Sequence, residues 1–271
     1  MIRLRLVALC IALVLAAAFG WRLAGAPGFG LWRADVPPAP AAINPRTPRD
    51  AMLAHLAESP EYAGYFARLQ TSFPLAHGQI MTMLARDFES AATSGRTPAS
   101  IDLQVFQASR MLRQSRGVLA AKAEAELMQR IFDTQASMMQ SLASDGEGRL
   151  CVDFFYGGAA QNFFDYLALH RRLSADLALA WLEAIGDGKA NPIMRPDPDD
   201  ADFKLLEDAL AAKGLPRIQI DALLDGKPLD TPMPDADMCQ AAQSYLATLR
   251  ALPQEPQIRL LARTLVLAAR S

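Results

Sequence analysis

The sequence is poor in the residues that most often carry chemistry. Its three histidines, His55, His77 and His170, stand apart with no ligand spacing between them, which argues against a metal enzyme. No G-x-S-x-G, H-E-x-x-H, phosphate-loop, G-x-G-x-x-G or C-x-x-C pattern occurs, so the common nucleophile, zinc, nucleotide and redox chemistries leave no signature. No catalytic residue, metal or cofactor is therefore assigned. Charge is nearly balanced at net −2 with no basic stripe, which removes the electrostatic footprint of a nucleic-acid binder. Aromatic residues make up only 7% and β-branched residues are few. Beyond the N-terminus no apolar run approaches 18 residues, so no second membrane span is expected.

What is present starts at the first residue. Met1-Ile-Arg-Leu-Arg5 is a basic stub, and Leu6 to Trp21 then runs uncharged until Arg22. A positive n-region, an apolar h-region and small residues behind it make an export segment. The run of 16 residues covers about 24 Å as a helix. It is shorter than the roughly 20 residues of a relaxed span, and Arg5 and Arg22 can extend it by snorkelling. Residues 1–22 are accordingly read as a signal anchor or a signal peptide, touching the membrane through residues 6–21. Cleavage fits after Ala16-Ala17-Ala18, or less well at Ala24-Gly25-Ala26 before Pro27. An uncleaved anchor would keep Arg3 and Arg5 in the cytoplasm. The bulky Phe19-Gly-Trp-Arg-Leu23 stretch favours that reading, and a buried soluble helix is the third alternative. Cys10 follows Leu9 with nine residues in front, a poor lipidation site. The expected location is the bacterial inner membrane facing the periplasm, or the periplasm itself if the leader is cleaved.

Residues 23–47 form a linker. Pro27, Pro37, Pro38, Pro40 and Pro45 favour an extended tether. From residue 48 to 271 the chain is dominated by Ala, Leu, Met, Gln, Glu and Arg, all strong helix formers. With Cys10 set aside, Cys151 and Cys239 remain. In an exported chain such a pair is most simply a disulfide; two buried free thiols are the alternative, and a metal site lacks further ligands.

Helix signals punctuate residues 48–271. Thr47-Pro48, Ser59-Pro60 and Phe73-Pro74 open helices, the third closing at Gly95. Thr97-Pro98 or Ser100 opens a long stretch that Gly117 splits in two. Its second half, with Met128, Ile131, Phe132, Met138, Met139 and Leu142 on one face, ends at Asp145-Gly-Glu-Gly148. Glu126 and Arg130 are spaced as an external pair. Cys151 to Leu173 reads as one helix, and Ser174 caps the next, ending at Gly186-Asp-Gly188. After a proline-rich loop, Asp199 to Lys213 is helical and stopped by Gly214. Ile218 to Leu224 is read as a short helix rather than a strand, and residues 225–234 as a loop. Met238, Ala242, Tyr245, Leu249 and Leu252 share a face. Pro256 opens the last helix, with Ile258, Leu261, Leu265 and Ala268 inward and Arg259, Arg263 and Arg270 outward. The expectation is an all-α, irregular multi-helix bundle of about nine helices, without a solenoid repeat.

The segment Cys151 to Tyr166 is the most unusual. It holds six of the chain's 17 Phe and Tyr residues. As one helix it would present Val152, Phe155, Tyr156, Ala159, Phe163 and Leu167 on a single face. Gly157 and Gly158 would each cost about 1 kcal/mol there, pointing to close helix packing or to room for a ligand. Phe155, Tyr156, Phe163 and Leu167 are thus the candidate apolar-ligand residues, with tight packing as the plain alternative. Asp153, Tyr156 and Asp165 are too loosely spaced to make an acid–base site on sequence grounds. The acidic run Asp197 to Asp202 suits a helix N-terminus better than a calcium loop. His170-Arg171-Arg172 suits a helix end, with anion binding as a weaker alternative. The methionines suit core filling better than a binding groove.

Three functional classes follow. The leading one is a non-enzymatic, membrane-tethered envelope module that binds or assembles another envelope protein. The second is a carrier or sensor of a small apolar ligand, and the third an enzyme without a recognisable motif. A carrier requires a closed apolar cavity of about 300 Å³ or more beside Phe155 and Phe163. An assembly module requires an exposed apolar patch beyond a few hundred Å². An enzyme requires converging polar groups with perturbed ionisation.

Overall fold

Thr47 opens the first helix as the sequence predicts. Its Oγ1 accepts a hydrogen bond from the Asp50 amide at 3.1 Å, and Pro48 takes the first helical turn, where a missing N–H costs nothing. A computed structural model describes residues 47–158, 161–225 and 233–269. The leader 1–22 with its membrane contact 6–21, Cys10, residues 23–46 of the linker, Ala159, the loop 226–232 and Arg270 lie outside the described residues.

The described residues form twelve α-helices and no strand: α1 Pro48–Ala57, α2 Ala63–Ser72, α3 Pro74–Ser94, α4 Ile101–Arg116, α5 Ala125–Ser144, α6 Gly148–Phe155, α7 Gln161–Leu169, α8 Arg171–Ala190, α9 Asp200–Ala212, α10 Arg217–Asp225, α11 Asp235–Ala251 and α12 Gln254–Ala268. Two 3₁₀ turns, Pro60–Tyr62 and Gly117–Lys122, join neighbours. All belong to one compact unit, Pro45–Ser271. Helix α8 packs on α2, α4, α5 and the 117–122 turn, while α11 packs on α6 and α5. Between them Ile101, Met128, Ile131, Phe132, Met138, Met139 and Leu142 are fully buried, so these methionines fill core. No helix among the described residues is long and apolar enough to cross a membrane.

Several sequence expectations need correction. Ser59-Pro60 begins a 3₁₀ turn rather than an α-helix. Cys151 to Leu173 is not one helix. Helix α6 ends at Phe155, with Gly157 at φ +78°. The Gly158 amide donates to the Asp153 carbonyl at 2.7 Å and the Gly157 amide to the Phe154 carbonyl at 3.1 Å. That nested pair closes a helix through a left-handed glycine, so the Gly-Gly pair is a stop.

Helix α8 starts at Arg171, leaving Ser174 buried within it rather than capping it, and it runs through Gly186 and Gly188 to Ala190. Gly188 is a close-approach residue: a Cβ there would sit 1.9 Å from the Leu119 carbonyl oxygen. Arg195 donates to the carbonyls of Ala121 and Ala123, and Asp187 accepts from the Glu124 amide, which satisfies the backbone of this tightly packed turn.

Ion pairs were less legible still. Arg130 pairs with Glu183 of α8, not with Glu126. Arg259 does not face out: it grips Asp202 through two hydrogen bonds of 2.7 and 2.8 Å, tying α12 to α9. Asp199 and Asp202 form a reciprocal cap on α9, so the acidic run is a helix start.

Candidate functional site

The Gly157–Gly158 stop turns the aromatic segment into the wall of a cleft. Phe154, Phe155 and Tyr156 lie at the end of α6, and Phe163 and Leu167 of α7 enter the core. Phe154 stacks on Phe163 at 5.6 Å, and Phe106 of α4 meets Phe163 and Phe164 edge-on at 6.1 and 5.3 Å. Such offset and edge geometries are the favoured ones for aromatic pairs.

An apolar cleft of about 440 Å³ opens beside this cluster. Its walls are Phe155, Tyr156 and the two glycines on one side, Trp181 of α8 and Arg113 of α4 on another, with Leu224, Tyr245 and Leu265 from α10, α11 and α12. A smaller recess of about 60 Å³ adjoins it, lined by Phe163, Leu167, Ser109 and Ser174, and shares Phe106, Arg113, Phe154, Leu177 and Trp181 with the cleft. All four residues singled out from sequence therefore border this space, Phe155 and Tyr156 in the outer cleft and Phe163 and Leu167 in the recess. They come from two separate helical segments, not from one helical face.

The missed residues are Trp181, Tyr245, Leu265 and above all Arg113, which come from helices distant in sequence. Arg113 is half-buried, with its guanidinium carbon 5.6 Å from the centre of the Trp181 ring. Its Nε has no hydrogen-bond partner, and it forms no ion pair among the described residues. Burial, then the like charge of Arg110, push this guanidinium below its usual range, though an arginine stays protonated. A cation over an indole gains about 0.5–2 kcal/mol. Withdrawing an ion wholly from water costs several kcal/mol; the half-buried Arg113 bears part of that cost, and Trp181 offsets some of it. Nearby, the Ser109 and Tyr65 hydroxyls are buried without completing a hydrogen bond, and burial pushes the Tyr65 phenol up to about 12.

The wall is held by covalent and ionic ties. Cys151 of α6 and Cys239 of α11 form a disulfide with Cα atoms 5.6 Å apart, and both residues are buried. The bond replaces the alternative of two free thiols. It fixes α6 against the helix that supplies Tyr245. Burial raises the Tyr245 phenol pKa, while a hydrogen bond with the Thr264 side chain lowers it. On the far side Asp102, fully buried, accepts from the Tyr62 hydroxyl at 2.8 Å and from Arg171 at 3.1 Å.

The other sequence candidates have structural partners. His170, Arg171 and Arg172 straddle the α7–α8 junction, facing Asp145, Asp102 and Asp176 respectively, so carboxylates already answer each of them. Asp153 pairs with Arg149, and Asp165 is exposed, away from Tyr156 in the cleft. Arg263 is exposed as expected. Among the described residues no group of three or more His, Cys, Asp or Glu side chains is placed to hold a metal ion. Comparison with protein-family models, with curated proteins and with solved structures finds no match.

Proposed function

We propose that this chain is an exported helical module that binds a small apolar molecule in the cleft between α6, α8 and α12, tethered to the membrane by its N-terminal apolar segment. One observation carries the reading: a mostly apolar, half-open cleft of about 440 Å³ beside Phe155 falls within the range of about 300–1,000 Å³ that small-molecule sites occupy. The Cys151–Cys239 bond supports the export part, because such bonds persist in oxidising compartments. The assembly-module alternative wants one contiguous apolar patch. Among the described residues the most exposed large apolar side chains, Leu75, Leu169 and Met194, sit instead on α3, at the end of α7 and in the loop before α9.

A neutral fluorescent probe, N-phenyl-1-naphthylamine, tests the reading on the full chain in lipid nanodiscs, with empty nanodiscs subtracted. Saturable enhancement at one site, lost in Thr264→Trp, is expected, because the indole would fill the cleft from α12. Absence of a saturable signal, or an unchanged signal in a folded Thr264→Trp variant, contradicts it.

A further inference from the structure

We infer that the ligand of this cleft is an anionic amphiphile, its carboxylate-like head seated on Arg113 and its apolar body lying along Trp181, Phe155 and Leu265. The inference rests on the cleft being a ligand site and adds the chemical class of what enters it.

Two observations on the geometry point to it. Arg113 lines both the recess and the outer cleft, so a head group on it leaves the body access to the whole apolar wall. Its Nε is buried without an acceptor, and its guanidinium lies over the Trp181 ring. Arg171 and Arg259, by comparison, each hold a buried aspartate. The cleft thus pairs a large apolar surface with one cation short of an acceptor. A guanidinium presents a planar fork that matches a carboxylate. Neutral apolar ligands would leave that fork unanswered, and cationic ones would be repelled by it.

Isothermal titration calorimetry on the full chain in nanodiscs, corrected with empty nanodiscs, separates these cases using decanoate, 1-decanol and decyltrimethylammonium. Decanoate is expected to bind at one site at least tenfold more tightly than decanol, with decyltrimethylammonium weakest. Arg113→Met is expected to weaken decanoate tenfold or more and to leave decanol within twofold. Equal affinity for decanoate and decanol in the parent chain overturns the anionic head while the apolar cleft stands. So does unchanged decanoate affinity in an Arg113→Met chain of parent helicity. Binding of none of the three overturns both. Should Arg113→Met fail to fold, the ranking of the three probes on the parent chain decides alone.

Discussion

The guanidinium of Arg113 rests 5.6 Å from the centre of the Trp181 ring, joining α4 to α8 where the apolar cleft meets its recess, and it has no carboxylate partner among the described residues. A charge placed this way is a stability liability. Replacing a poorly compensated buried ion by an apolar side chain of similar size is often neutral or stabilising, and the half-buried Arg113 shares this in part. Arg113→Met is therefore expected to hold or raise the urea midpoint while weakening ligand binding. A loss of more than about 1 kcal/mol in urea unfolding would assign Arg113 a structural role.

The disulfide closes a span of 88 residues between α6 and α11. Cross-links of this kind contribute about 2–5 kcal/mol, mainly by restricting the unfolded chain. The Cys151→Ser, Cys239→Ser chain is expected to lose that much in urea unfolding. It is also expected to bind cleft ligands less tightly, because the α6 wall bearing Phe154 and Phe155 is no longer tied to the helix bearing Tyr245. Equal midpoints with and without reductant would contradict this.

Two helical glycines give opposite expectations. At Gly188 an added methyl meets the Leu119 carbonyl at 1.9 Å, whereas at Gly78 it meets nothing within 4 Å. Gly188→Ala is expected to cost about 1–3 kcal/mol or more through overpacking. Gly78→Ala, on an exposed stretch of α3, is expected to gain about 0.5–1 kcal/mol from reduced chain freedom. Thermal melts of the two variants measure both signs.

Asp202 links stability to pH. The Arg259 side chain, first, and the Asp199 amide hold its carboxyl below the usual range, against the opposing effect of burial. A folded-state pKa below the unfolded value, about 3.9, adds stability that is complete above that value and is lost as pH falls through the folded one. The melting temperature of Asp202→Asn should therefore lie below that of the parent by a constant gap from neutral pH to about 5, a gap that narrows below about pH 4. A gap independent of pH would show that the Arg259 pair contributes through geometry alone.

Local signals made much of the fold legible. Thr47-Pro48, Gly95, Asp199 and Gly214 act through their own backbone neighbours, and each bounds a helix where the sequence places it. Glycines whose role depends on a distant segment were opaque. Gly188 looks like a helix stop until Leu119, 69 residues earlier, is seen against it. Gly157 looks like a packing residue, yet a glycine directly behind a short aromatic helix also fits a left-handed stop, and that signal was available. The site divided in the same way. Phe155, Tyr156, Phe163 and Leu167 were visible as a local excess of aromatic and apolar residues. Arg113, Trp181 and Leu265 reach the cleft only through tertiary packing of α4, α8 and α12.

The most direct test of the cleft as a ligand site is photo-crosslinking of the full chain with a decanoate analogue bearing a diazirine at its far end, followed by peptide mapping. Label is predicted on peptides carrying Phe155 to Gly158, Leu223 and Leu224, or Thr264 to Ala268, and should be competed away by unlabelled decanoate. Label confined to residues 1–46 or to the surface of α1 and α3, or label that decanoate does not compete, would contradict a ligand in this cleft.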